Sequence, residues 1–522
     1  MINMAWDKET HNISKTEKIG QLFFPAAFIN DSDQEIKKVE ELITNHYIGG
    51  LTFFHSRASA ATNFEGKQKV IINKDSLHRL SELIQHYQSI ATTPLLMSID
   101  AEWGLAMRVE NTPQYPYAIT LGALPKHQEE LIYKVGQYIG QDLASIGIHF
   151  NLAPVADTNT NPNNPVIGYR SFGEDKEHVV SCAISYYKGL KDSGVLGCFK
   201  HFPGHGDTLV DSHLGLPVLS KSREDIDQQE LYPFRTAIAH DIDSIMIGHL
   251  AIPALTEGKN IPATLSSTII KDILREELGY KGVVISDALN MHSVSKLYPQ
   301  KGHLEWQAFY AGNDILCFSE HVEEGIRTIE KNASDAQIEK SYKRVSELKK
   351  KAFTKAALPS KIDSQKAESL NLDIAKAALT AYKYDENSFK NFLLAPFDAI
   401  MIGNRKQCHF FDEISKHVTF KTINSEVEVS ANQVLIALFP PAIKPKDSFG
   451  INSEDIDTIE RLSQKKNVLI YIFGNPYATQ VFQHQHINNI ILMYQDFLSF
   501  QHIATQHFLG GFKAVGSLPV TL

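Results

Sequence analysis

The sequence predicts an α/β protein in two parts: an N-terminal TIM-like (β/α)8 barrel followed by a smaller α/β sandwich domain with a mainly parallel sheet. Three observations carry that expectation. Short apolar runs alternate with helical patterns before residue 320, polar clusters follow the ends of those runs, and unbroken β-rich runs recur from Ala399 onward. Strands alternating with helices on this scale suit a barrel, for which about 250 residues or more is usual. A doubly wound open sheet is the alternative.

The eight apolar runs are Ile19 to Phe28, Ile48 to Phe54, Pro94 to Ile99, Ile148 to Val155, Val195 to Phe199, Ile242 to Ile247, Gly282 to Ile285 and Ile315 to Phe318. Between them, stretches such as Glu129 to Ile146 and Ser267 to Leu278 repeat apolar residues at three- and four-residue spacing, the pattern of a helix with one buried face. The polar clusters are Asp100 to Arg108, Asp157 to Arg170, Lys200 to His213, His249 and Ser286 to Met291. Their convergence on one rim is what a barrel enzyme requires. From Glu320 to about Ser369 the chain turns charged and helical, with Lys349-Lys350-Lys351 read as a solvated helix face. The later runs are Ala399 to Ile402, Val434 to Phe439, Val468 to Phe473 and Ile490 to Tyr494. Uninterrupted apolar strands fit a parallel sheet covered on both faces. The expected boundaries are 1–345 for the barrel, 346–369 for a charged helical linker and 370–522 for the C-terminal sandwich.

A chain of 522 residues exceeds one ordinary domain, which makes two the natural expectation. The formal net charge of −9, from 51 basic and 60 acidic residues, leaves no basic footprint for nucleic acid or an anionic membrane. A neutral or mildly polar small molecule is the better partner. Cys182, Cys198, Cys317 and Cys408 lie far apart, arguing against a disulfide framework and for a reducing compartment. No apolar signal core opens the chain and no run reaches the ~18 residues that span a bilayer. The expectation is a soluble cytoplasmic protein, with its oligomeric state open.

The densest chemistry lies from Lys200 to His213, KHFPGHGDTLVDSH in one-letter code. Packing alone seldom asks for so many protonatable groups where Pro203, Gly204 and Gly206 also forbid a regular helix. A polar surface loop and a structural metal site are the alternatives. The metal reading suffers because His201 and His205 straddle a Pro-Gly pair, so no helix aims both rings at one ion.

This stretch resembles the signature of the glycoside hydrolase family 3 β-N-acetylglucosaminidases, Lys-His-Phe-Pro-Gly-His-Gly followed by Asp-Ser-His. Val283 to Met291 is similar to the family's Ser-Asp-x-Leu-x-Met element, and Asn164 to Gly173 fits a third family pattern. The resemblance covers about residues 12 to 320 strongly. It reaches the second domain weakly, through Phe473-Gly474-Asn475-Pro476-Tyr477 and Gly516-Ser517-Leu518-Pro519-Val520.

What it implies is a retaining mechanism with Asp287 as the nucleophile and His213 as the acid/base, partnered by Asp211. In an extended stretch residues i and i+2 share a face, so the Asp211 carboxylate is able to hold the His213 ring and favour its protonated form. An imidazole, with an ordinary pKa near ~6.5, gives and takes a proton near neutral pH. The alternatives are that Asp211 caps a turn and that Ser286 and Asp287 cap the next helix. Asp100, Arg170, Lys200 and His201 match the family's aminosugar-binding groups, a rim salt bridge being the alternative for Arg170. Arg108 and His249 are further substrate-binding candidates, His249 with a buried hydrogen-bonded histidine as its alternative. Asp100 opens Asp-Ala-Glu-Trp-Gly-Leu-Ala-Met-Arg, whereas many relatives carry Asp-Gln-Glu-Gly-Gly. Trp103 therefore reshapes this loop, as a sugar platform or as rim filling.

The implied activity is exo-hydrolysis of terminal β-linked GlcNAc, with GlcNAc-anhydroMurNAc muropeptides of peptidoglycan recycling as substrate and no metal or organic cofactor. Three rivals stand beside it. A phosphorylase is one, because a histidine acid/base leaves less negative charge near an incoming phosphate. A β-glucosidase is another, against which the Asp-Ser-His element argues. A non-catalytic sugar sensor is the third, against which Asp287 and His213 together argue.

Overall fold

A computed structural model describes residues 13–57, 73–210, 215–354 and 361–522. The chain divides into two compact units, one from Met1–Gln114, Tyr133–Thr158 and Val179–Ser364, the other from Tyr115–Ile132, Asn159–His178 and Gln365–Leu522.

The first unit is the expected barrel. Its opening strand is interrupted at Pro25, which has no N–H to give, leaving β1 (Phe23–Phe24) and β2 (Ala26–Phe28). β3 (Gly50–Phe54), β4 (Leu96–Ile99), β5 (Phe150–Asn151), β6 (Leu196–Phe202), β7 (Ser244–Ile247) and β8 (Val283–Ser286) follow, each parallel to the one before. β9 (Leu316–Cys317) closes the ring, pairing with β1 while Ile315 bridges to Ile285 of β8. The seam is stitched by Ser286 N to Ile315 O at 2.9 Å and Leu316 N to Leu22 O at 2.8 Å. Each expected run carries its strand. Nearly every strand residue is buried, as in a barrel whose interior is filled by side chains and whose exterior is covered by helices.

Helix Asp335–Thr354 corrects one expectation. Lys349 is not solvated: it is 2% exposed and its Nζ donates to Gln21 Oε1 at 2.6 Å, whereas Lys350 and Lys351 are exposed. The helical period carries position 349 to the face that also buries Val345, Leu348 and Ala352. A run of identical charges hides that period.

The second unit holds a six-stranded sheet of β10 (Thr380–Lys383), β11 (Phe397–Gly403), β12 (Lys421–Ile423), β13 (Gln433–Phe439), β14 (Asn467–Ile472) and β15 (Asn489–Leu492), in the order β10-β15-β14-β13-β11-β12. Only β10 is antiparallel to its neighbour. The four expected runs are its four inner strands. The two edge strands are short and partly exposed, so no apolar run announces them. Two earlier segments belong to this unit: Ser517 N donates to Ala123 O at 2.9 Å, and Glu174 N to Pro519 O at 3.1 Å. Cys182, Cys198, Cys317 and Cys408 are buried free thiols, and no described helix is long and apolar enough to cross a membrane.

Candidate active site

The C-terminal ends of β4, β5, β6 and β8 deliver three groups of ionisable side chains. After β4 comes Asp100; near the end of β6 comes Lys200. The Lys200 Nζ lies 2.8 Å from Asp100 Oδ1 and 2.7 Å from Glu102 Oε1, and Arg108 Nη2 lies 3.3 Å from Asp100 Oδ2. The Arg108 guanidinium also rests 3.7 Å over the Phe54 ring. Two carboxylates thus face two cations, the balance that lets charges stay ionised out of water. Burial works against the Asp100 charge, yet Lys200 and Arg108 hold its carboxyl below the usual range. The Lys200 side chain is 1% exposed and that of Asp100 21%, so Asp100 is the more open of the pair.

The second group hangs on Asp157, buried after β5. Its carboxylate accepts from the backbone N–H of His201 at 3.1 Å and of His205 at 2.8 Å, and its Oδ2 lies 2.7 Å from His201 Nδ1. Although burial pushes its pKa upward, His201 and its hydrogen bonds hold the Asp157 carboxyl below the usual range. An ionised carboxylate only accepts, so Nδ1 carries the hydrogen and the ring orientation is fixed. Burial, with His201 beside it, pushes His205 down to about 4, and its Nδ1 lies 2.6 Å from Thr208 Oγ1. The two rings sit 6.0 Å apart at 73° on separate anchors. The turn between them needs Gly204, whose φ is +128° and whose absent Cβ would fall 2.7 Å from Glu230 Cβ.

Asp287 follows β8. Its N–H donates to Ile247 O at 3.0 Å, and its Oδ1 accepts from Ala288 N at 2.8 Å. The next helix, His292–Ser295, starts from Met291 without a side-chain cap, and Ser286 Oγ instead accepts from Cys317 N at 3.0 Å. Neither Ser286 nor Asp287 is a helix cap. His249, after β7, is fully buried with Nδ1 2.7 Å from Thr264 Oγ1 and Nε2 2.9 Å from Ala288 O.

A model of the glycosyl hydrolase family 3 N terminal domain matches residues 15–348. The chain belongs to glycosyl hydrolase family 3. It is 34% identical over 380 residues to β-hexosaminidase A of Pseudoalteromonas piscicida, covering 67% of this chain and 61% of that protein. A β-hexosaminidase of Alkalilimnicola ehrlichii is 30% identical over 287 residues, 54% of this chain and 76% of that protein. Among solved structures, a glycoside hydrolase family 3 β-N-acetylglucosaminidase from Paenibacillus sp. str. FPU-7 superposes with a TM-score of 0.77 at 27% identity, over 98% of this chain and 99% of that one. The matched stretch spans less than two thirds of the Pseudoalteromonas relative.

Within this family 3 barrel the structure brings together Asp100, Arg108 and Lys200, sets the His201 ring against Asp157, and places Asp287 and His249 on neighbouring strand ends. Arg170 lies in the second unit, in the turn Gly168–Arg170. That turn is shaped by Asn159 and Asn164, whose side-chain oxygens accept from Gly168 N at 3.1 Å and Ile167 N at 2.8 Å. Asp211 and His213 lie outside the described residues. Sequence reasoning passed over Glu102 and Asp157 as site residues. Glu102 stands two residues after Asp100 in a recognised polar cluster, while Asp157 opens another of those clusters and had no motif to single it out.

Proposed function

We propose that this family 3 chain is a retaining, exo-acting β-N-acetylglucosaminidase that removes terminal β-linked GlcNAc. The observation that carries the reading is the placement of Asp287 at the end of β8, on the rim that also holds the Asp100-Lys200-Arg108 and Asp157-His201 groups. Asp287 attacks the anomeric carbon, and the bond to the departing oxygen breaks as His213, held by Asp211, delivers a proton to it. In the second step neutral His213 takes a proton from water, which displaces Asp287 and restores the β configuration. Asp100, Arg108, Lys200 and His201 read the sugar hydroxyls, whose directions distinguish one ring from another. The β-hexosaminidase names of the relatives support this substrate class. The buried free cysteines support work in a reducing compartment, on GlcNAc-containing fragments of peptidoglycan recycling.

The test compares leaving groups. Wild-type protein is expected to release GlcNAc with retained configuration from nitrophenyl β-GlcNAc and from a muropeptide, independently of phosphate. In kcat/KM, which reports the glycosylation step, His213→Ala is expected to lose on the order of 10² to 10⁴-fold on the muropeptide and far less on the activated aryl glycoside, because an aryloxide departs without a proton. Equal losses on both substrates contradict the assigned acid. A sugar 1-phosphate as product contradicts hydrolysis.

A further inference from the structure

We propose that His249 is a positioning residue for Asp287 rather than a ligand of the sugar, acting through the Thr264-His249-Ala288 chain of hydrogen bonds. The inference rests on the nucleophile assignment of Asp287. A carbonyl oxygen only accepts, so the His249 Nε2 that lies 2.9 Å from Ala288 O carries a hydrogen and donates it. Nδ1 meets the Thr264 hydroxyl at 2.7 Å, and that hydroxyl has Gly248 O at 3.0 Å and Ile247 O at 3.2 Å as its other neighbours. With the hydroxyl hydrogen on Nδ1 the ring is neutral; with it on a carbonyl the ring is an imidazolium. In both states protein atoms engage both nitrogens, and the residue is 0% exposed. A ring so placed has no edge to offer a sugar hydroxyl.

What the ring does hold is Ala288, the residue that follows Asp287. Ala288 receives the His249 bond at its carbonyl, while its N–H lies 2.8 Å from Asp287 Oδ1. Asp287 N is tied to Ile247 O at 3.0 Å. Thr264 is itself fixed through its carbonyl by Asn313 Nδ2 at 2.9 Å, whose same nitrogen reaches Ala308 O at 2.6 Å. Asn313, Thr264, His249 and Ala288 therefore form a line from the helix before β9 to the carboxylate after β8. In-line attack tolerates little error, since a misplacement of ~1 Å costs about 10²-fold.

The test uses the full chain and a slowly turning-over fluorosugar of the GlcNAc series, following adduct formation by intact mass and locating it by peptide mapping. Thr264→Val replaces the hydroxyl by a methyl of like size, and Thr264→Ser keeps it. Thr264→Val is expected to label Asp287 on the same fraction of chains as wild type, about ten- to a hundredfold more slowly. Thr264→Ser is expected to label at close to the wild-type rate, and His249→Leu at least as slowly as Thr264→Val. Inhibition by free GlcNAc should change by less than about threefold in all of them, because only the reacting geometry is disturbed. Wild-type labelling rates in Thr264→Val and His249→Leu overturn the inference, as does GlcNAc inhibition weakened tenfold with labelling unchanged, which makes His249 a sugar ligand. An adduct mapped to another peptide in the wild-type protein overturns the nucleophile assignment and this inference with it.

Discussion

Two sets of buried charge lie at opposite ends of the barrel. At the C-terminal ends of the strands stand Asp100, Glu102, Lys200 and Arg108, with Asp157 and His201 beside them. At the N-terminal ends stands Asp314, just before β9, fully buried and fully engaged. Arg275 Nη2 reaches its Oδ2 at 2.6 Å, Arg344 lies 2.9 and 2.7 Å from its two oxygens, Ser341 donates at 2.7 Å and Val284 N at 3.0 Å. Both sets are ionic and both are shielded from water. Every bond of Asp314 goes to the fold, joining β8 and β9 to helix Asp335–Thr354, while the rim set keeps a partly exposed carboxylate at a strand end. Burial of charge alone does not mark a site; saturation and strand polarity separate this floor from the rim on which the proposed site lies.

The comparison breaks most visibly at the floor. Asp314→Asn leaves two guanidinium groups without a counter-charge, which for a buried ion pair costs about 3–5 kcal/mol. Denaturant unfolding is expected to show that loss, while kcat/KM per folded molecule stays near wild type. A fall in activity per folded molecule would join the floor to the site.

Lys349 gives the next effect, and it depends on pH. Burial lowers its pKa from the ordinary 10.5 to about 7. In the unfolded chain the amine keeps its proton up to the ordinary value, whereas in the fold it surrenders it near 7. Unfolding therefore takes up a proton between those values, and stability rises with pH across that window and is lost as pH falls toward 7. Lys349→Met is expected to flatten that slope and to stabilise the protein at pH 6 by about 1–4 kcal/mol, as apolar replacements of buried charge do. Unfolding curves at pH 6 and pH 9 measure it, and an unchanged slope would refute the burial argument.

Lys200→Met, at the rim, sharpens the contrast with a smaller effect. It removes the cation between Asp100 and Glu102, and a hydrogen bond to a charged group is worth about 1.5–3 kcal/mol. GlcNAc affinity measured by inhibition is expected to fall by that amount. An affinity unchanged from wild type would remove Lys200 from the binding set.

The rim was legible and the floor was not. The stretch from Lys200 to His205 concentrates unlike functional groups between glycines and proline, and local chemistry of that density shows without a fold. The barrel was legible for a related reason, since its strands are continuous apolar runs. Asp314, by contrast, sits between Asn313 and Ile315 with no motif, and its meaning comes from Arg275 and Arg344, residues distant in sequence. Lys349 lay inside a charge run whose phase on the helix was invisible in composition. Asp157 and Glu102 fall between these cases: each was near a recognised cluster, but their roles as anchors of His201 and Lys200 depend on the ends of β4, β5 and β6 lying side by side in the sheet. The short edge strands β10 and β12 escaped because they bury little.

The thermal shift produced by GlcNAc compares the two ends of the barrel in a single measurement. A ligand at a hundred times its Kd stabilises the fold by about 2.7 kcal/mol, a rise that wild-type protein is expected to show. Asp314→Asn should melt at a lower temperature yet keep that rise, because the floor holds the barrel without touching the sugar. Asp100→Asn should lose the rise, because the proposed sugar-binding set depends on its carboxylate. A full ligand-induced rise in Asp100→Asn, or its loss in Asp314→Asn, would contradict the division of the barrel into a working rim and a holding floor.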